Sequence, residues 1–508
     1  MAALGFQPLM LWPLTLLGLA GLVALVVRAD RVKTALRLGW LWGVGHFTVG
    51  NGWIATAFTF QANMPAWLGW IAVFLLALYL AVFPAAAALG AWLVARRRPP
   101  VFIAAFAASW ILAEWLRSWL FTGFAWNPLG VALLGPYGHP GLAALAAVLG
   151  TYGLSGLCAA LGAALSAALS RAAEPGPQRA AWGALALGLL ALPGLAMLLP
   201  TPRAAAGHMP FTLVQPDIRQ DVLNNPAEYE KQFVKTARLT LPQRAGERRV
   251  VFWPESGVPD YLRAGYPLYF YQQTTFAADP VLARRRIARV VGAGSVLLTG
   301  ATDLEMRGGA VAGARNTVTA LDDTGEIRAS YAKAHLVPYG EYLPMRALLT
   351  PLGLSRFVPG DIDFWPGPGP RTLDLGPWGK AGVQVCYEIV FSGEVVDHAH
   401  RPDYLFNPSN DGWFGRWGPP QHLAQARLRA IEEGLPVLRA TTTGISAVID
   451  SHGVVRQFVP RHVAARIDGL IPPPAAPTPF ARGGNAIPLG LATVLLVLSL
   501  VAMRLRRS

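Results

Sequence analysis

Over its first 207 residues the chain is a series of long apolar runs broken by short polar loops: Leu9 to Val27, Leu36 to Phe60, Trp67 to Ala95, Phe102 to Leu120, Leu142 to Leu169 and Ala181 to Leu199. A seventh run, Ile487 to Met503, lies near the end. Each is long enough for a helix that crosses the hydrocarbon layer, which takes about 20 residues. Between the sixth and seventh the pattern changes. Short β-rich runs (Phe211 to Val214, Val250 to Trp253, Ser295 to Thr299, Val383 to Val385, Tyr404 to Phe406 and Val437 to Ala440) alternate with helical and loop stretches and predict one α/β domain. The Pro-rich stretch Pro472 to Pro479 reads as a linker. The expected division is a helical membrane bundle over 1–207, an α/β domain over 208–471, a linker over 472–486 and a final membrane helix with a basic tail over 487–508.

Composition agrees with a membrane protein: 53 % of the 508 residues are hydrophobic, 14 % are charged, and the mean hydropathy is +0.38. The net charge of +14 does not point to nucleic acid, because the excess sits in short loops, where it reports orientation. Residues 1–207 hold 11 Lys and Arg against 3 Asp and Glu. Arg28, Arg31, Lys33 and Arg37 follow the first span, Arg96 to Arg98 the third, Arg171 and Arg179 the fifth, and Arg504, Arg506 and Arg507 the seventh. Those ends are expected in the cytoplasm. The loops after the second and fourth spans, Gln61 to Ala66 and Phe121 to Gly141, hold no Lys or Arg. By parity the α/β domain is exported. The first span has neither a preceding positive residue nor a following small-residue cleavage site, so a removed signal peptide is not expected.

Only two cysteines exist, Cys158 in an apolar run and Cys386 in the polar region, so no disulfide framework is implied. Cys386 ends a β-rich run and is followed at once by Tyr387 and Glu388, a setting that suits a nucleophile on a tight turn more than an inert core thiol. A thiol nucleophile needs a base and an anion stabiliser. Glu255, in WPES at the end of another run, is the candidate base, against the commoner fate of a surface carboxylate. Lys333, in SYAKAHLVPYGEYLP, is the candidate oxyanion partner, against that of a solvated lysine. Glu114 and Arg117, three apart on a helix, are expected to pair with each other. His398 and His400 have no third ligand at metal-site spacing.

Taken together, Glu255, Lys333 and Cys386 occur in the order Glu, Lys, Cys of the nitrilase superfamily. KAHLVPYGEYLP, CYEIVF, NPSNDGWFG, QHLAQARLRAIE and TGISAVID, with EWLRSWLFTGFAWNPLG at Glu114 to Gly130, resemble the motifs of one membrane branch, the apolipoprotein N-acyltransferases. Ala125 stands where that family usually has Pro, Thr442 where Asn is common, and no Trp follows Ile218. Relatives usually carry eight spans, and this chain begins near what would be their second.

The resemblance implies a polytopic helical bundle joined to an exported nitrilase-like α-β-β-α sandwich on the periplasmic side of a bacterial inner membrane. It implies transfer of a fatty acyl chain from a phospholipid, commonly phosphatidylethanolamine, to the α-amino group of the S-diacylglyceryl cysteine of an apolipoprotein, with no metal or nucleotide. The residues suffice for this by a ping-pong route. Thiolate Cys386 attacks the ester, Glu255 takes the proton, Lys333 and the Tyr387 N–H face the oxyanion, and a thioester results. The resemblance adds Glu341, Tyr387 and Glu388 as supporting residues; the two carboxylates could hold the charge and orientation of Lys333, with a structural ion-pair network as their alternative. Since both substrates are lipids, three apolar loops are candidates to face the bilayer: Tyr266 to Tyr271 (with Tyr266 and Phe270), Ala347 to Val358, and Trp413 to Trp417 (with Trp413, Phe414 and Trp417).

A membrane-tethered amidase, with water in place of the amine, shares the same three residues. A transporter or receptor with an exported sensing domain lacks support, since Glu114, with Arg117 beside it, is the only acidic residue well inside a span.

Overall fold

A computed structural model describes residues 1–60, 65–96, 98–201, 206–349, 351 and 363–505. Arg97, Arg506, Arg507, the greater part of the loop Gln61 to Ala66 and that of Ala347 to Val358 lie outside them. The apolar runs form helices α1 (Trp12–Val27), α2 (Val32–Gly50), α3 (Leu68–Leu80), α4 (Val82–Ala95), α5 (Pro99–Trp119), α6 (Ala146–Ala173) and α7 (Arg179–Ala196). Five helical stretches among the described residues are long and apolar enough to cross a membrane: Leu68–Ala95, Pro99–Trp119, Leu142–Ala173, Arg179–Ala196 and Ala486–Arg504. The first expected span is the shorter apolar helix Trp12–Val27. The second ends as an α-helix at Gly50, where Asn51 and Gly52 break it, and continues to Phe60 as a 3₁₀ segment. The third is interrupted at Ala81. Pro84 accounts for this: its ring removes a donor and crowds the carbonyl four residues back, at Leu80. Apolar side chains on the outermost helices, among them Leu187, Leu195, Val494 and Leu498, are exposed. That is the surface a helix presents to lipid.

Among the described residues the polar region forms twelve strands: β1 (Pro210–Gln215), β2 (Val250–Phe252), β3 (Val296–Arg307), β4 (Ala310–Asp322), β5 (Ile327–Ala332), β6 (Thr372–Asp374), β7 (Lys380–Val383), β8 (Tyr404–Ser409), β9 (Val437–Thr441), β10 (Ser446–Ile449), β11 (Val455–Val459) and β12 (Ala465–Leu470). They build two six-stranded sheets, β12-β1-β2-β3-β4-β5 and β11-β10-β9-β8-β7-β6. In each the three central strands are parallel and the flanking ones antiparallel. The period of two sorts the side chains. Phe211, Leu213, Val250, Phe252 and Leu298 meet Val383, Phe406, Leu438 and Val448 of the other sheet in a shared core. Val214, Val251 and Leu297 point the other way, under helices α8 (Tyr229–Thr240) and α9 (Pro280–Val291). Strands covered on both faces read as unbroken apolar runs.

The outer face of the second sheet is covered by α10 (Gly418–Glu433). Leu423, Ala426 and Ala430 pack on Leu405, Val437 and Ala447. The opposite face of α10 enters the membrane bundle, with Ala424, Leu428 and Ile431 in the same core as Leu129, Ala143 and Leu154. Polar bonds reinforce the joint. Arg427, fully buried, donates to the carbonyls of Gly135 (2.7 Å), Pro136 (2.8 Å) and His139 (3.1 Å) of the α5–α6 loop and of Gly453 (2.7 Å). Glu432 accepts from Thr151 N (2.5 Å) and Ser392 Oγ (2.7 Å) and pairs with Arg429 at 2.8 Å. Helix α6 is kinked at Gly150, whose φ of 67° and whose contact with the Phe480 ring, 2.2 Å from where a Cβ would sit, both require glycine. The stretch expected as a linker is thus fastened: Phe480 is buried on α6, and Thr478 Oγ1 donates to the Glu432 carbonyl before α11 (Ala486–Arg504) begins.

Candidate active site

Three strand ends converge. Glu255 lies three residues beyond β2, Lys333 directly after β5, and Cys386 three residues beyond β7. The turn that carries Glu255 passes over β3 so closely that a Cβ on Gly300 would lie 2.7 Å from the Glu255 Cα. Cys386 opens a 3₁₀ turn, Cys386–Val390, with φ of 52°, a left-handed conformation that costs a non-glycine residue about 1 kcal/mol or more. All three are buried, at 7, 1 and 5 % exposure.

The Lys333 ammonium lies 2.8 Å from Glu341 Oε2 and 3.7 Å from Glu255 Oε1. Burial opposes its charge, but Glu341, Glu255 and Cys386 outweigh that and hold it above the ordinary lysine range. Asn316, on β4, uses one amide group to bridge both carboxylates, donating to Glu255 Oε1 at 2.7 Å and Glu341 Oε1 at 2.8 Å. Glu255 Oε2 accepts from the Asn410 N–H at 2.8 Å, and that N–H also reaches the Cys386 thiol. Thr442 Oγ1 and Gln220 Oε1 fix the Asn410 side chain, each at 2.9 or 2.8 Å. Burial and then the Glu255 charge push the Cys386 thiol well above its usual value, against Lys333. Cys386 therefore rests as the thiol, and would need a base to act as a nucleophile.

Glu388 ties the Lys333 and Cys386 loops together. Its Oε1 accepts from Tyr331 OH (2.7 Å), Ala334 N (2.7 Å) and His335 N (3.2 Å), and its Oε2 from Val385 N (2.7 Å). Burial raises its carboxyl to about 7, against those hydrogen bonds and Lys333. Tyr387 points at the bundle, its ring stacked on Trp126 at 6.5 Å.

The candidate loops are less open than their composition predicts. Phe270 is buried, and Tyr266 stacks on Tyr271 while its hydroxyl accepts from Leu304 N; the exposed members of that loop are Leu268 and Tyr269. Trp413 meets Phe60 edge-on at 5.6 Å, and Phe414 packs between Trp53 and Trp126. Both thus dock on the 3₁₀ segment Gly52–Phe60 of the bundle, and Trp417 is half-buried. Glu114 and Arg117 spend their bonds apart. Arg117 Nη1 donates to the carbonyls of Phe124 (3.0 Å) and Trp126 (2.9 Å), and Glu114 Oε1 accepts from Trp110 Nε1 (3.0 Å) and Leu129 N (2.8 Å).

Residues 1–164 match the model of the apolipoprotein N-acyltransferase N-terminal domain, and residues 212–461 that of the carbon-nitrogen hydrolases. An apolipoprotein N-acyltransferase of Rhodopseudomonas palustris is 35 % identical over all of this chain and 94 % of its own length. One of Caulobacter vibrioides is 35 % identical over 99 % of this chain and 93 % of its own. The chain belongs to the apolipoprotein N-acyltransferase family. Among solved structures, an amidase from Nesterenkonia sp. AN1 aligns with 57 % of this chain and 96 % of its own at 17 % identity and a TM-score of 0.33. In this member of the N-acyltransferase family, WPES, YAKAHLVPYGEYLP and VCYE bring Glu255, Lys333, Glu341 and Cys386 into one buried cluster. Asn410 was within reach of sequence reading through NPSND, whereas Asn316, in GARNT, carries no such signal.

Proposed function

We propose that this protein acylates the α-amino group of the N-terminal diacylated cysteine of lipoproteins, taking the acyl chain from a phospholipid, phosphatidylethanolamine foremost, through a thioester on Cys386. The catalytic unit is residues 208–471, on the periplasmic side of the bacterial inner membrane. The observation that carries the reading is the buried thiol beside Glu255 and the Lys333–Glu341 pair, in a domain whose α10 is shared with the membrane bundle.

Sγ attacks the ester carbonyl as Glu255 takes its proton. The π electrons move onto oxygen, opposite the Lys333 ammonium and the Tyr387 N–H. Collapse breaks the C–O bond, and Glu255 returns the proton to the departing lyso-phospholipid. In the second half the lipoprotein amine attacks the thioester, Glu255 takes the proton from nitrogen, and the thiol is restored with an amide as product. Glu341 holds Lys333, and Glu388 holds both loops.

The test is the intact mass of purified protein incubated with phosphatidylethanolamine in detergent, wild type beside Cys386→Ser, then with a diacylated lipopeptide. One acyl mass, sensitive to neutral hydroxylamine, absent from Cys386→Ser and passed to the peptide amine, is expected. Absence of the adduct overturns the thioester, and its decay to free fatty acid at the same rate with and without peptide makes water the acceptor.

A further inference from the structure

Against the backbone of Cys386 lies a fully buried polar cluster that the scheme above leaves unused. His422, on α10, has no exposed surface. Its Nε2 is 2.9 Å from the carbonyl oxygen of Cys386. Its Nδ1 stands 3.1 Å from Asp411 Oδ1 and 3.0 Å from Arg439 Nη2, and Arg439 donates to both Asp411 oxygens, at 2.7 and 2.8 Å. Asn407 Nδ2 lies 3.4 Å from the same Cys386 carbonyl. The Phe414 and Trp126 rings pack against the imidazole at 5.5 and 5.2 Å.

The partners assign the tautomer. A carbonyl oxygen only accepts, so Nε2 carries the hydrogen and donates to Cys386 O. Burial, and then the Arg439 charge, hold the imidazole below the usual histidine range, against Asp411. It is neutral, and Nδ1 accepts from Arg439. The chain of donors therefore runs Arg439 to His422 to Cys386 O, with Asp411 anchoring the guanidinium.

The carbonyl of Cys386 and the N–H of Tyr387 belong to one peptide group. A hydrogen bond accepted by the oxygen shifts charge through the amide and makes its N–H a stronger donor, the cooperativity of hydrogen-bond chains. The same bond pins a peptide whose left-handed φ would otherwise relax. We propose that His422 is a positioning residue for acyl transfer, which acts through the Cys386–Tyr387 peptide to fix the thiol's turn and to strengthen the Tyr387 N–H toward the oxyanion. The inference rests on the thioester reading, and its test begins from the wild-type adduct, so that failure of the one is distinguishable from failure of the other.

The experiment compares wild type, His422→Leu and His422→Gln, acylated from phosphatidylethanolamine labelled with ¹³C at the ester carbonyl, by single-turnover rate and by isotope-edited infrared spectroscopy of the thioester carbonyl. In wild type the carbonyl stretch is expected below that of the same thioester in denatured protein. In His422→Leu it rises toward the denatured value. Acylation then slows about 10-fold at unchanged apparent KM for lipid, less than the roughly 100- to 1000-fold for loss of an oxyanion donor itself. His422→Gln, which keeps an N–H donor, recovers at least half of both changes. A rate loss with an unmoved band, which is what a merely structural role gives, overturns the proposal, as does a leucine variant equal to wild type. If the leucine variant does not fold, ¹³C-carbonyl cysteine in a Cys158→Ala background decides, since Cys386 is then the only label. Its amide band is expected at the low frequency of a strongly bonded carbonyl and higher in His422→Gln, and a band at the frequency of a free carbonyl overturns the proposal. A wild type that forms no adduct at all instead removes the thioester reading.

Discussion

Lys333 is bound closely to Glu341, at 2.8 Å, and only loosely to Glu255, at 3.7 Å. The asymmetry leaves Glu255, the proposed base, outside a tight ion pair, while its neighbour holds the ammonium. If Glu341 is neutralised, Lys333 falls to Glu255 and its charge is quenched against the base. Glu341→Gln is therefore expected to slow thioester formation about 100-fold with little change in apparent KM, and Glu255→Gln to abolish it. Single-turnover acylation read by intact mass separates the two.

Asn316 holds both carboxylates with one amide. Asn316→Ala frees them to move, and a loss of roughly 10- to 100-fold in acylation rate is expected. Asn316→Asp should be worse, because it adds a third carboxylate to a pocket with one ammonium. Equal rates in the two variants would mean that the bridge does no more than fill space.

Glu433, at the end of α10, is buried with neither side-chain oxygen hydrogen-bonded among the described residues, and burial, with Glu432 beside it, raises its carboxyl to about 7. A folded-state value above the unfolded one means that the native state binds the extra proton. The stability this supplies is complete below the unfolded value and is lost as pH rises through about 7. Glu433→Gln removes that loss. The variant is expected to match wild type near pH 4.5 and to unfold at a higher temperature than wild type at pH 8, by melting in detergent.

Arg427 bridges domain and bundle through four carbonyls. Arg427→Met keeps the volume and orphans those acceptors, at a cost of about 3 kcal/mol. A lower melting temperature and new proteolytic cuts in the loop between Gly135 and Gly141 are the expected signs; an unchanged digestion pattern would assign the joint to apolar packing alone.

What was legible in the sequence follows from burial. The bundle announced itself because a lipid-facing helix must be apolar over its whole length, and β1, β2, β3, β8 and β9 because strands covered on both faces are continuous apolar runs. The flanking strands β4, β5, β6, β10, β11 and β12 went unread: β4, for instance, interleaves Arg315 and Asn316 with its apolar residues. Glu255, Lys333 and Cys386 were recognisable because each sits in a motif at a strand end. Asn316 and His422 were not singled out, since their contacts join segments distant in sequence. The composition of WFGRW did not disclose that Trp413 and Phe414 meet Phe60 and Trp53 of the bundle, again because those contacts join distant segments.

Helix α10 has no free side. One face closes the two-sheet sandwich, the other completes the bundle, and His422 projects from it to the Cys386 carbonyl. The hydrolase-like half is consequently not a cargo carried by an anchor. Any shift of the bundle that accommodates a thicker or thinner bilayer would carry α10 and His422 with it, so turnover in reconstituted vesicles is expected to track the acyl-chain length of the surrounding lipid even when the donor lipid is held constant.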